Sequence, residues 1–186
     1  ADGDLHNPVG YGLVVGFAEL FSDYPSEFLL RLLPAVVGWL CIPLCYWAFR
    51  PLLSRRSAAA TAVLLALSPW HLFWSQSARF YTLAQATSLI GAGCFVRGLW
   101  CAWGWHWVSV GVLVAFAAAL FHISGALVAG ALLLSGVIIR FSVQSRPDGF
   151  DKALTRGAVP ATLLALGLSP WALGWLEHHL GQKPDA

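Results

Sequence analysis

FLLRLLPAVVGWLCIPLCYWAF, residues Phe28 to Phe49, is an unbroken apolar run in which Arg31 is the only charged residue. A helix needs about 20 mainly apolar residues to cross a hydrocarbon core about 30 Å thick, and this run meets that requirement. Five further windows read the same way: Ala58–Trp74, Phe80–Trp100, Trp105–His122, Ser124–Phe141 and Ala158–Leu176. The fourth and fifth spans are tight, because the hairpin at His122, Ser124 and Gly125 leaves few residues for a turn. Upstream, Pro8 to Phe21 is too short to span. Its Leu13, Val14, Phe17, Leu20 and Phe21 fall on one helical face, which predicts a helix lying in the membrane interface. The expected fold is all-α, a polytopic transmembrane helical bundle of about six spans preceded by a short interfacial helix. Residues 1–27 form an outer loop, 28–176 the spans and 177–186 an outer tail.

Composition agrees. Hydrophobic residues make up 58% of the 186 and charged residues 11%. A soluble domain cannot hide that many apolar side chains, so lipid must solvate them. The net charge of +2, with no basic run, excludes a nucleic-acid partner.

Charge placement gives an orientation, since short cytoplasmic loops collect Lys and Arg. With both ends outside, the inner loops hold Arg50, Arg55, Arg56, Arg97, Arg140, Arg146, Lys152 and Arg156, leaving Arg31, Arg79 and Lys183 outside. Of the acidic residues only Asp148 and Asp151 fall inside. Tryptophan follows the same register: Trp70, Trp74, Trp171 and Trp175 at the outer headgroups, Trp47, Trp100, Trp103, Trp105 and Trp107 at the inner. Leu-Ser-Pro-Trp occurs at Leu67–Trp70 and again at Leu168–Trp171. Proline frees backbone groups there, so both helix ends are expected to bend toward a polar cavity. The polar stretch Ser142–Arg156 reads as a solvated connector on the inner side.

The four cysteines, Cys41, Cys45, Cys94 and Cys101, lie in apolar stretches and read as small buried side chains, with no disulfide framework. The chain starts at Ala1, contains no methionine and carries Asp2 and Asp4 where a leader would be basic. It therefore reads as a piece of a longer polypeptide, although a processed chain can begin this way too.

Two arginines stand on the outer side against the charge bias, and an ionisable group costs on the order of 2.5–3.5 kcal/mol at the bilayer centre. Snorkelling to the headgroups is a sufficient account of Arg31. Arg79 sits in a polar and aromatic cluster, Trp74-Ser75-Gln76-Ser77-Ala78-Arg79-Phe80-Tyr81. There a guanidinium can clamp a phosphate with two parallel hydrogen bonds, or simply anchor the helix end.

These residues fall in an order that resembles the GT-C class of multi-pass glycosyltransferases, in the dolichyl-phosphate-mannose protein mannosyltransferase-like branch that includes aminoarabinose transferases. The matching stretches are His6-Asn7-Pro8-Val9-Gly10-Tyr11, Phe28-Leu29-Leu30-Arg31-Leu32, the basic turn Arg55-Arg56, Ser68-Pro69, Ser75-Gln76-Ser77-Ala78-Arg79-Phe80-Tyr81, and Phe121-His122-Ile123. The resemblance covers most of the first 125 residues. Ser77 replaces the family's usual Glu, and Asn7 and Gly10 replace Pro and Tyr. The family's catalytic carboxylate ends a spanning helix upstream of the His-Pro motif, and no such helix precedes His6 in this sequence.

The resemblance implies transfer of a sugar from a polyprenyl-phosphate donor to a lipid, glycan or protein acceptor, on the extracytoplasmic face of the bacterial cytoplasmic membrane. It implies Arg79, Gln76 and Tyr81 as donor-phosphate ligands and His122 with Arg31 as lining of the substrate cavity. Asp4 and His6 are catalytic candidates near the acceptor. They are also the pair that would hold a divalent metal cation, if one is used; a plain solvated loop is the alternative for both. His71, near the outer end of its span, reads as interfacial. A transporter subunit, which would place ionisable groups near the bilayer midplane, or a non-catalytic membrane scaffold are the readings from other classes.

Overall fold

The computed structural model describes residues 8–101, 104–122, 124–143 and 147–180, without the side chains of 8 and 170–180. Every regular element among them is helical. In chain order these are α1 (Pro8–Glu19), α2 (Glu27–Phe49), α3 (Arg55–Ala66), α4 (Pro69–Ser75), α5 (Tyr81–Trp100), α6 (Trp105–Ala117), α7 (Ser124–Ser142), α8 (Phe150–Ala153) and α9 (Val159–Leu180). A 3₁₀ turn, Ala118–Leu120, prolongs α6, and a π turn, Leu154–Ala158, joins α8 to α9.

Serine starts three of these helices. The side chains of Ser26, Ser54 and Ser68 accept from the amides of Leu29, Ser57 and His71, each satisfying one of the donors that a helix N-terminus leaves open. Ser68 does more. The ring of Pro69 excludes the residue before it from the helical region, Ser68 is extended at ψ 120°, and α3 and α4 meet at 58°. The first Leu-Ser-Pro-Trp therefore breaks its span as expected. The second does not: the backbone of α9 stays helical through residues 168–171.

Two helices, α2 and α7, are long and apolar enough to cross a membrane, and the bent pair α3–α4 makes a third if it counts as one span. The other expected spans exist as helices but do not qualify on the same terms. Residues 105–120 are too short, because the 3₁₀ turn closes α6 early. α5 has the length, but Gln85, Thr87, Ser88 and Arg97 dilute its apolar character. α9 is long enough, and half of its side chains lie outside the described residues.

α2 and α5 pack side by side and run in the same direction. The Cys41 thiol donates to the Thr82 carbonyl near the start of α5 at 3.8 Å, and further along the Arg97 guanidinium stacks on Trp47 at 4.0 Å. This gathers Arg50, Arg97, Arg140 and Lys152 at one end of the bundle and Arg31, Arg79 and His122 at the other. α5 and α6 approach until their backbones touch: a Cβ on Gly91 would stand 2.8 Å from the Ala115 nitrogen and 2.9 Å from the Gly111 oxygen. Small residues allow such approach where lipid removes the hydrophobic drive between helices.

The core lies between α5, α6 and the α8–α9 segment, around Phe95, Leu99, Val108, Val112, Phe150 and Leu154. Its makeup corrects the expectation of a solvated connector over Ser142–Arg156. Phe150 is 2% exposed and meets Trp100 edge to face at 5.3 Å, while Asp151 pairs with Arg140 at 3.7 Å. The polar composition of this stretch hides one aromatic residue and one leucine that the bundle needs for its core. α1 also differs in detail. Gly10, Val14 and Ala18 are its buried stripe, and Leu13, Leu20 and Phe21 face outward.

Candidate functional site

The short helix α4 builds the site. Gly38 admits its C-terminus against the middle of α2, where a Cβ would stand 2.7 Å from Ser75 Cβ. Glu27 lies eleven residues before Gly38, so the start of α2 rises about 16 Å past this contact at 1.5 Å per residue. The stretch from Gln76 to Tyr81 is thus recessed beside α2 instead of level with its end. Hydroxyls close α4: Ser75 Oγ donates to the His71 carbonyl at 2.7 Å and Ser77 Oγ to the Phe73 carbonyl at 2.8 Å. The amide of Arg79 donates to the Ser77 carbonyl at 2.7 Å, turning the chain toward α5. Phe80 then packs over Gly10, tying α1 to the same corner.

Two cavities flank this turn, and the residues expected to act together divide between them. Arg31, Gln76, Ser77 and Arg79 line a polar cleft of about 460 Å³. Arg31 and Glu27, four residues apart, form an ion pair whose side chains are 50% and 75% exposed. Such exposed pairs contribute about 0–1 kcal/mol, so Glu27 is a weak competitor for an incoming anion. Tyr81 and His122, by contrast, belong to a second cavity of about 420 Å³. Tyr81 thus lines a different cavity from Gln76 and Arg79, and His122 a different one from Arg31.

Aromatic rings wall the second cavity. Tyr81 lies 4.0 Å from Trp74 and 5.1 Å from His122, and Trp70 meets Trp74 edge to face at 5.4 Å. The polar side is His71, Gln85 and Ser88. His71 is 5% exposed, with Nδ1 3.0 Å from Gln85 Oε1; it is a buried, paired side chain. His122 Nδ1 accepts from the Ser124 amide at 3.2 Å and meets Ser124 Oγ at 2.8 Å. It caps α7 and lines the cavity at once, which leaves Nε2 as its remaining polar atom. The Trp74 Nε1 donor is shut off from solvent and has no hydrogen-bond partner. That costs on the order of 1–3 kcal/mol.

Asp4 and His6 lie outside the described residues. Among the described residues, no group of three His, Cys, Asp or Glu is placed to hold a metal ion. Cys41, Cys45 and Cys94 are buried and Cys101 is exposed, all as free thiols. Sequence reasoning missed Gln85 and Ser88. Both are polar residues four and seven positions beyond Tyr81, on the face of α5 that Tyr81 begins, and that helical spacing was the available signal. No family model, no curated protein and no solved structure matches the chain.

Proposed function

We propose that this chain is part of a GT-C-type membrane glycosyltransferase that moves a sugar from a polyprenyl-phosphate donor to an acceptor on the extracytoplasmic side. In this reading the six apolar windows all span the bacterial cytoplasmic membrane and both ends of the chain face outward. The observation that carries it is the cleft shared by Arg31, Gln76 and Arg79. Two guanidinium groups line this one polar cleft, and the planar fork of each matches the oxygens of a lipid phosphate.

In the reaction, the acceptor hydroxyl attacks the anomeric carbon, the bond from that carbon to the phosphate oxygen breaks, and the polyprenyl phosphate leaves. A base takes the hydroxyl proton. Asp4 and His6 are the candidates for that role in this chain. Arg79 stabilises charge gathering on the leaving phosphate, a contribution typically about 2.7–4 kcal/mol of barrier.

Arg79→Ala should therefore lower transfer from a lipid-linked donor by about 10²–10³-fold in membranes carrying the full-length protein, with insertion unchanged. Turnover within a few-fold of the native rate would remove Arg79 from the mechanism. Labelling a single cysteine placed at Ser77 with a membrane-impermeant reagent tests the orientation. Reaction only from the cytosol would overturn the assignment.

A further inference from the structure

The second cavity has a composition that the phosphate cleft does not share. Among the described residues, no Asp, Glu, Lys or Arg lines it. It offers aromatic faces on one side, from Trp70, Trp74 and Tyr81, and hydrogen-bonding groups on the other, from Gln85, Ser88 and His122. Its volume of about 420 Å³ lies inside the usual range of small-molecule sites, about 300–1,000 Å³.

A pyranose ring is the ligand class with matching chemistry. Its C–H face is apolar and stacks on an aromatic ring, while its hydroxyls both donate and accept. Gln85 supplies an amide that does both, and Ser88 a hydroxyl that does both. An ammonium on the sugar would meet no carboxylate among the described lining residues and would lose its hydration without compensation.

We infer that this aromatic cavity binds an uncharged sugar ring, so the carbohydrate handled by the protein is a neutral hexose or pentose and not an amino sugar. The choice of sugar as donor head group rests on the glycosyltransferase reading above; the cavity's preference for a neutral ring does not.

The test uses the full chain purified in a zwitterionic detergent, free of sugar head groups. Saturation-transfer NMR with a methyl hexoside should report binding, at least tenfold weaker for the matching amino-sugar glycoside. Ser88→Ala, which keeps the packing, should weaken it by about three- to tenfold, and Trp74→Phe, which trims the aromatic wall, by at least as much. In a second arm, a short polyprenyl phosphate bearing the neutral sugar should bind about tenfold tighter than bare polyprenyl phosphate. Arg79→Ala should weaken both lipids alike. No hexoside signal, equal binding of the amino sugar, or displacement of the hexoside by bare polyprenyl phosphate would each overturn the inference, the last by giving the cavity to the isoprenoid tail. Hexoside binding with no binding of either lipid phosphate would uphold it and sink the donor reading instead.

Discussion

Gly38→Ala probes the contact on which the site depends. The added Cβ would stand 2.7 Å from Ser75 Cβ and 3.4 Å from Ser75 Cα, against an optimal carbon–carbon separation of about 3.5–4.0 Å. α4 must then retreat by about 1 Å or distort. Overpacking of this kind costs typically about 1–3 kcal/mol, while replacing a helical glycine by alanine returns about 0.8–1.0 kcal/mol. The net expectation is a loss of about 0–2 kcal/mol, too close to zero to stand alone. Two companions make it decisive. Gly130→Ala, where nothing lies within 4 Å of the new Cβ, shows the helix gain without the clash and should stabilise by up to about 1 kcal/mol. Ser75→Gly removes the side chain that the Gly38 methyl strikes, so the double variant should recover at least about 1 kcal/mol beyond the sum of the singles. The buried thiols Cys41, Cys45 and Cys94 supply the assay. In a Cys101→Ser background, a thiol-reactive fluorophore reports their exposure during heating. If Gly38→Ala stabilises as much as Gly130→Ala and shows no coupling to Ser75→Gly, α4 does not touch the middle of α2. The recessed position of residues 76–81 then falls with it.

Two other outcomes follow from the packing. Phe150→Ala should cost about 3–5 kcal/mol, as for other large core aromatics, and lower the thermal midpoint by roughly 6–20 °C at about 2–4 °C per kcal/mol for a chain of this size; a change below about 1 kcal/mol would restore the solvated connector. A charged maleimide applied to the native protein should add one label, at Cys101, and three more only on unfolding. Rapid labelling of Cys41 or Cys94 by intact-mass measurement would contradict the α2–α5 packing.

Much of the helical layout was legible in the sequence. The windows predicted from apolar length reappear as α2, the α3–α4 pair, α5, α6, α7 and α9 within a few residues, since in lipid each backbone must satisfy its hydrogen bonds within its own segment. The cleft was partly legible, because Gln76 and Arg79 are neighbours in the chain. Arg31 joining them was not, as it depends on how far α4 slides along α2. Tyr81 was assigned to the phosphate by its place in the motif; that it also lines the neighbouring aromatic cavity depends on how α4, α5 and the turn at His122 meet.

The amino-acid sequence on its own determined that the chain is helical, roughly where its longer helices lie, and that Ser68-Pro69 would break one of them, although the same motif at Ser169-Pro170 leaves α9 helical. These are local matters of apolar length, serine caps and proline sterics. Tertiary structure alone decided that Phe150 joins the core, that His71 is buried against Gln85, and that the candidate residues divide between a charged cleft and an aromatic cavity. Each of these turns on which helix faces meet, and that is set by contacts between residues 14 to 59 positions apart in the chain, such as His71 with Gln85 and Leu154 with Phe95, which no local pattern encodes.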